Sequence, residues 1–170
     1  MVGLPATGKS TVVSSMHKDA QTFIYSTDNY IEKHMLDEGY STYDEAFEHM
    51  IDEATREMNV ELSKMIEWKN DVIWDQTNLG VGKRRKIINR MRQAGYQLRC
   101  VCIIPPEVGH ISDMTDWKVR LESRPGKTIP ADIMSKMYSG YVTPTIDEGF
   151  DMITFYNMHG ALLCIDYGAE

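Results

Sequence analysis

The sequence has no run of apolar residues long enough to cross a bilayer and no secretory leader pattern, so no membrane partner is expected. Cysteine is scarce. Cys100, Cys102 and Cys164 make an odd set without the paired spacing of a zinc site. Cys100 and Cys102 share one face of a strand-like run, and the expected state is reduced core thiols in a cytoplasmic protein. The five histidines, His17, His34, His49, His110 and His159, have no metal-ligand spacing and form no triad, which leaves them as surface or core residues. Basic charge is in short supply as well. Eighteen Lys and Arg against 25 Asp and Glu give −7, which argues against broad duplex binding through a basic face. A small basic pocket for one nucleotide or one strand end remains compatible with that charge. There is no internal repeat, low-complexity tract or linker, and a single domain over residues 1–170 is expected. Hydrophobic residues at 42% suffice for a core, with twelve methionines at helical spacing as filler.

What is present begins at the third residue. Gly3-Leu4-Pro5-Ala6-Thr7-Gly8-Lys9-Ser10 fits G-x-x-x-x-G-K-[ST], the loop that cradles the phosphates of a nucleoside triphosphate. Its glycines let the backbone curl so that N–H groups point inward at phosphate oxygens, and the helix that follows adds partial positive charge. Gly3, Pro5, Ala6, Thr7, Gly8, Lys9, Ser10 and Thr11 are therefore expected to bind ATP, with Lys9 on the outer phosphates and the Ser10 hydroxyl on Mg²⁺. Such a loop normally leaves a buried strand, yet only Met1 and Val2 precede Gly3. Either the start is shortened or the first strand is a stub.

Downstream, strand-like and helical segments alternate. Helix is expected over residues 9–17, 44–68, 82–94 and 116–123, and again after Pro130 through Met137 and Tyr138. The long second helix carries an apolar stripe that includes Ala46, Met50, Ala54, Met58 and Leu62, with Thr42 and Glu45 at capping-box spacing. Strands are expected over residues 22–26, 71–75, 98–104, 152–156 and 161–165, the last two as a hairpin around 157–160. This order predicts a three-layer α/β domain with a mostly parallel central sheet.

Ligands of open parallel sheets sit beyond the carboxyl ends of the strands, which selects further residues. Asp28 follows the strand at 22–26 and could take a proton from an attacking hydroxyl, although an acid there is also a common helix cap. Asp75 ends an apolar strand like a Walker-B carboxylate, a candidate for the Mg²⁺ shell. Thr77 and Asn78 beside it could hydrogen-bond substrate or simply make a turn. Arg120 and Arg124, four apart on one helical face ahead of Pro125-Gly126-Lys127, suit a lid that closes over the nucleotide; the alternative is a solvated, paired face. The lid would occupy about residues 113–140. Lys83, Arg84, Arg85 and Lys86, with Arg90 and Arg92, form the one basic cluster. Most of it reads as a solvated face, with Arg84 or Arg85 placed to face the cleft.

Taken together, residues 3–11, Thr27-Asp28-Asn29-Tyr30, Asp75 to Leu79 with Arg84-Arg85, Arg120 with Arg124, and Ile129-Pro130 through Tyr138 resemble the kinase domain of bacteriophage polynucleotide kinases. The resemblance implies transfer of the ATP γ-phosphoryl group to a 5′-hydroxyl end of DNA or RNA, in host cytoplasm if the gene is a phage one. It makes Lys9 and Ser10 the phosphate and Mg²⁺ residues, Asp28 the general base, Arg124 the lid arginine and Arg120 its support. Asp28, Asp75, Thr77, Asn78 and Arg85 would meet the substrate, and Ser10 and Asp75 the metal. Two departures stand out. The family carries an arginine for the substrate 3′-phosphate shortly after the catalytic acid, where this chain has Ile31 and Glu32, and there is no room for the phosphatase domain of the phage enzymes. Residues 1–6 and the Asp-x-Thr-Asn stretch with its paired arginines also look like the kinase half of bifunctional phosphofructokinases. Small-molecule kinases share the Glu148-Gly149-Phe150-Asp151 type of ending. A small phosphoryl acceptor, or an ATP-binding regulatory module without transfer, are thus the alternatives.

Overall fold

The computed structural model describes residues 1–16, 18, 21–106 and 111–168. His17, the expected end of the first helix, and His110 lie outside the described residues. The chain divides into two compact units: Met1–Ser15 with Thr77–Glu122 and Ile129–Glu170, and Met16–Gln76 with Ser123–Thr128.

In the first unit β3 (Arg99–Ile103) pairs in parallel with β4 (Met152–Tyr156), and β4 pairs antiparallel with β5 (Leu162–Asp166). Val2 joins the opposite edge of β3. Its N–H donates to the Val101 carbonyl at 2.8 Å, and its own carbonyl accepts from Ile103 N–H at 2.8 Å. The strand before the loop is therefore a stub of one bridged residue. Val2, Cys100, Cys102 and Ile153 form one buried cluster; Leu4, Leu79, Trp117 and Met158 form another. Burial pushes the Cys100 thiol up to about 12 and raises Cys102, so both are inert at neutral pH. Cys164 departs from the expectation of three core thiols: it is exposed on β5, an edge strand with every residue open to solvent.

The helices of this unit are α1 (Lys9–Ser15), α4 (Val81–Gln93), α5 (Ile111–Glu122) and α6 (Ala131–Ser139). Helix α4 corrects the reading of the basic cluster. Arg84, Ile88 and Met91 repeat at helical spacing and are the buried residues of the helix, so Arg84 enters the interior where an apolar side chain would be expected. Its guanidinium is 2% exposed. It forms a fork with both oxygens of Glu148, each at 2.7 Å, and also donates to the carbonyls of Asn78, Leu79 and Val142. Arg92 pairs with Asp151 at 2.6 Å and, with the Leu98 N–H, holds that carboxyl below its usual range. The two acids of the Glu148 to Asp151 ending thus partner two arginines of α4.

The second unit holds β1 (Phe23–Tyr25) in parallel register with β2 (Val72–Trp74), the Tyr25 and Trp74 rings stacked at 4.1 Å. Helix α3 (Tyr43–Glu67) starts at Thr42, whose hydroxyl accepts from Glu45 N–H, and buries Ala46, Met50, Ala54, Met58 and Leu62 as the stripe requires. Helix α2 (Thr27–His34) was not expected from the sequence. Ser26 caps it by accepting from Asn29 N–H, so Asp28 lies in the first turn rather than at the cap, and Ile31 packs into the α3 cluster. The α/β class with mainly parallel pairing is the one the alternation of elements predicts.

Candidate functional site

The phosphate-type loop is built within the first unit. Gly3 N–H donates to Thr77 O at 3.0 Å, and Leu4 is fully buried. A Cβ on Gly3 would stand 3.2 Å from the Ile103 carbonyl and 3.1 Å from Thr7 Oγ1, so a side chain there would press on its neighbours and glycine suits this close passage. Gly8 has φ +100°, in the region that glycine alone enters without strain. Two donors converge on the Leu4 carbonyl, Thr7 Oγ1 at 2.8 Å and Lys9 Nζ at 2.7 Å. Trp117, 5% exposed on α5, donates its indole N–H to Pro5 O at 2.8 Å. Ser10 and Thr11 open α1 and are exposed. Trp117→Phe leaves the buried Pro5 carbonyl without its donor. It is expected to lower stability by about 1–3 kcal/mol, read from a denaturant midpoint, and to weaken ATP binding measured by calorimetry.

Two of the remaining candidates of this unit, Asn78 and Arg120, have structural partners. Asn78 is 3% exposed with φ +47°, and its amide donates to the Met1 carbonyl at 2.8 Å. Arg84 holds the Asn78 and Leu79 carbonyls from the other side. Arg85 is exposed on α4. Arg120 donates to Met158 O at 2.7 Å.

Arg124 corrects the expectation of a shared helical face. Helix α5 ends at Glu122, ahead of Pro125, whose ring disfavours helical backbone in the residue before it. Arg124 therefore belongs to the Ser123–Thr128 segment of the second unit. There its Nη1 is buried with no hydrogen-bond partner among the described residues. Asp28 is exposed in α2. Burial first, then the nearby Asp28 carboxylate, hold the Tyr43 hydroxyl far above its usual range, while Arg124 pulls it down. Asp75 follows β2 and donates its N–H to Tyr25 O at 2.9 Å. Gln76 ties the end of β2 to α2: its amide nitrogen donates to Thr27 Oγ1, and its oxygen accepts from the Trp74 indole. Gln76 was missed from the sequence, because its partner Thr27 lies 49 residues away in the chain.

Residues 1–111 match the family model described as "AAA domain". The chain belongs to that family. The matched stretch runs from the phosphate-type loop through Asp28 and Asp75 to the end of β3. A solved structure from the PezAT chromosomal toxin–antitoxin system of Streptococcus pneumoniae has TM-score 0.62 and 16% identity, over 96% of this chain and 68% of that one. At that identity the likeness is one of fold. The chain is thus a nucleotide-binding P-loop protein with a P-loop kinase-like fold.

For a nucleotide the donor set of this AAA domain fits. The loop is free of side-chain bulk at Gly3 and Gly8, and an ammonium and two hydroxyls stand at its helical end. Among the described residues no group of three or more His, Cys, Asp and Glu could hold a metal unaided. Mg²⁺ in such sites takes one or two protein ligands, the remainder being phosphate oxygens and water, and the exposed Ser10 hydroxyl suits that arrangement. No helix of the described residues is long and apolar enough to cross a membrane.

Proposed function

We propose that this AAA domain is a kinase that transfers the γ-phosphoryl group of ATP to the 5′-hydroxyl end of a DNA or RNA strand in the cytoplasm. The observation that carries the reading is the phosphate-type loop of the first unit, open at Gly3 and Gly8 with Lys9 and Ser10 at its helical end; in the second unit the exposed carboxylate of Asp28, in the first turn of α2, supports it. Lys9 exchanges the Leu4 carbonyl for the outer phosphates, and the loop N–H groups hold the inner ones. Ser10 and Asp75 are the residues that would hold Mg²⁺, which would neutralise charge on the phosphates. Asp28 takes the proton of the acceptor hydroxyl as that oxygen forms its bond to phosphorus and the bond from phosphorus to the β-phosphate oxygen breaks, leaving ADP. Arg124, whose Nη1 has no partner among the described residues, donates to the transferred group, with Arg120 in support. Thr77, Asn78 and Arg85 complete the substrate contacts.

A small-molecule acceptor is the second reading. It is favoured by the net charge of −7 and by the residues after Asp28, since Ile31 is fully buried and Glu32 is engaged by Lys127. The test is transfer from γ-labelled ATP to a panel of 5′-hydroxyl oligodeoxynucleotide, oligoribonucleotide, nucleoside monophosphates and sugars. Label on an oligonucleotide end is expected. Label confined to the small molecules replaces the first reading with the second, and ATP binding without transfer to any acceptor makes the protein a regulatory module.

A further inference from the structure

The phosphate-type loop enters between two supports. On one side Val2 bonds to β3 through both of its backbone groups. On the other side stand residues 77–79, which belong to no strand or helix. Thr77 O accepts Gly3 N–H at 3.0 Å, and the Asn78 amide donates to Met1 O at 2.8 Å. This second support is itself held by Arg84. Its Nη1 donates to Asn78 O at 3.1 Å, Leu79 O at 2.7 Å and Val142 O at 3.0 Å. Val142 N–H returns to Leu79 O at 3.0 Å. The Nε and Nη2 of the same guanidinium fork onto Glu148, whose Oε1 also accepts Thr145 N–H at 3.2 Å. A guanidinium is planar, so a fork that fixes one edge also fixes where Nη1 points.

We propose that Arg84 is a positioning residue for the nucleotide: by holding the carbonyls of residues 78 and 79 it sets the entry of the phosphate-type loop, and so the direction of the N–H groups that meet phosphate oxygens. The proposal rests on the reading of the loop as a nucleotide site, and it is independent of the acceptor. Arg84 lies on the same buried face of α4 as Ile88 and Met91. An apolar side chain would fill that place, and exchanging a buried ion pair for apolar residues of similar volume often costs no stability. Stability therefore does not account for an arginine here. What an apolar residue lacks is a donor for the carbonyls of the turn that carries the loop. Leu79 adds to the link, since it packs in one cluster with Leu4 of the loop.

The experiment is calorimetric ATP binding without an acceptor, well below every melting temperature, on the parent and three variants. Glu148→Gln keeps the Arg84 donors and should bind ATP nearly as the parent does, although it melts earlier. Arg84→Met with Glu148→Gln leaves no charge buried alone but removes the donors to residues 78 and 79. It should raise the Kd for ATP by about 10- to 100-fold, the scale for losing a group that orients a binding residue. Asn78→Gly tolerates the φ of +47°, keeps the carbonyls that Arg84 holds and removes the tether to Met1. It should weaken ATP binding with the Arg84–Glu148 pair intact. A merely structural arginine would make ATP affinity follow the melting temperature across the set, and that result overturns the proposal. So does a folded double variant that binds ATP like the parent. Should the double variant not fold, Asn78→Gly decides, and unchanged ATP affinity in it is equally fatal. If the parent itself binds no ATP, the nucleotide reading of the loop fails and the proposal goes with it.

Discussion

Glu148→Gln is expected to destabilise the first unit by about 3–5 kcal/mol, the cost of leaving a buried charge without its partner. In a protein of this size that corresponds to a melting temperature lower by roughly 6–20 °C. The Arg84 guanidinium is 2% exposed and Glu148 9%, so water cannot replace the lost carboxylate charge. Arg84 would keep its bonds to the Asn78, Leu79 and Val142 carbonyls, and those dipoles do not neutralise it. Glu148 does further work: its carboxylate accepts the Thr145 N–H and closes the capping box of the 3-10 turn Ile146–Glu148. Replacing both charges, as Arg84→Met with Glu148→Gln, should cost less than the sum of the single changes, because neither charge is then left buried alone. Thermal unfolding followed by circular dichroism across the cycle decides this. Strict additivity would mean that the pair is not coupled.

Asp28→Ala is expected to cut phosphoryl transfer by about 10²–10⁴-fold, the range for loss of a general base. ATP affinity should be nearly unchanged. The phosphate-type loop draws on residues of the first unit, whereas Asp28 belongs to the second. The substitution falls at an exposed position of α2, where alanine suits a helix, so a folding defect is not expected to imitate the loss. Single-turnover transfer with calorimetric ATP binding separates the two quantities. A variant that binds and transfers like the parent removes Asp28 from the mechanism. Equal losses of binding and transfer would point instead to a role with the nucleotide.

Local chemistry was the part legible in the sequence. The phosphate-type loop is eight consecutive residues, and the α3 stripe repeats every turn, so each announces itself within a short window. Contacts between distant residues were not visible in this way. Arg84 reads either as part of a solvated cationic run or as a cleft-facing residue, because nothing near it in the chain reveals that Glu148 waits 64 residues later. Helix α2 was hidden by the polar Thr27-Asp28-Asn29 start, which reads equally as a turn; the burial of Ile31 against α3 is what makes it a helix. Arg120 and Arg124 had helical spacing, but Pro125 ended the helix first and sent the second arginine into another unit. Strand β5 was legible as a strand, but its place at the edge of the sheet, with all five residues exposed, was not.

The one-residue strand at Val2 bears on how the protein is made. A ribosome extrudes Val2 about a hundred residues before the Val101 and Ile103 groups that anchor it. At ordinary synthesis rates, roughly 5–20 residues per second, the nascent phosphate-type loop waits on the order of 5–20 seconds without its support. The loop therefore gains the backbone bonds that anchor Val2 only once β3 has emerged.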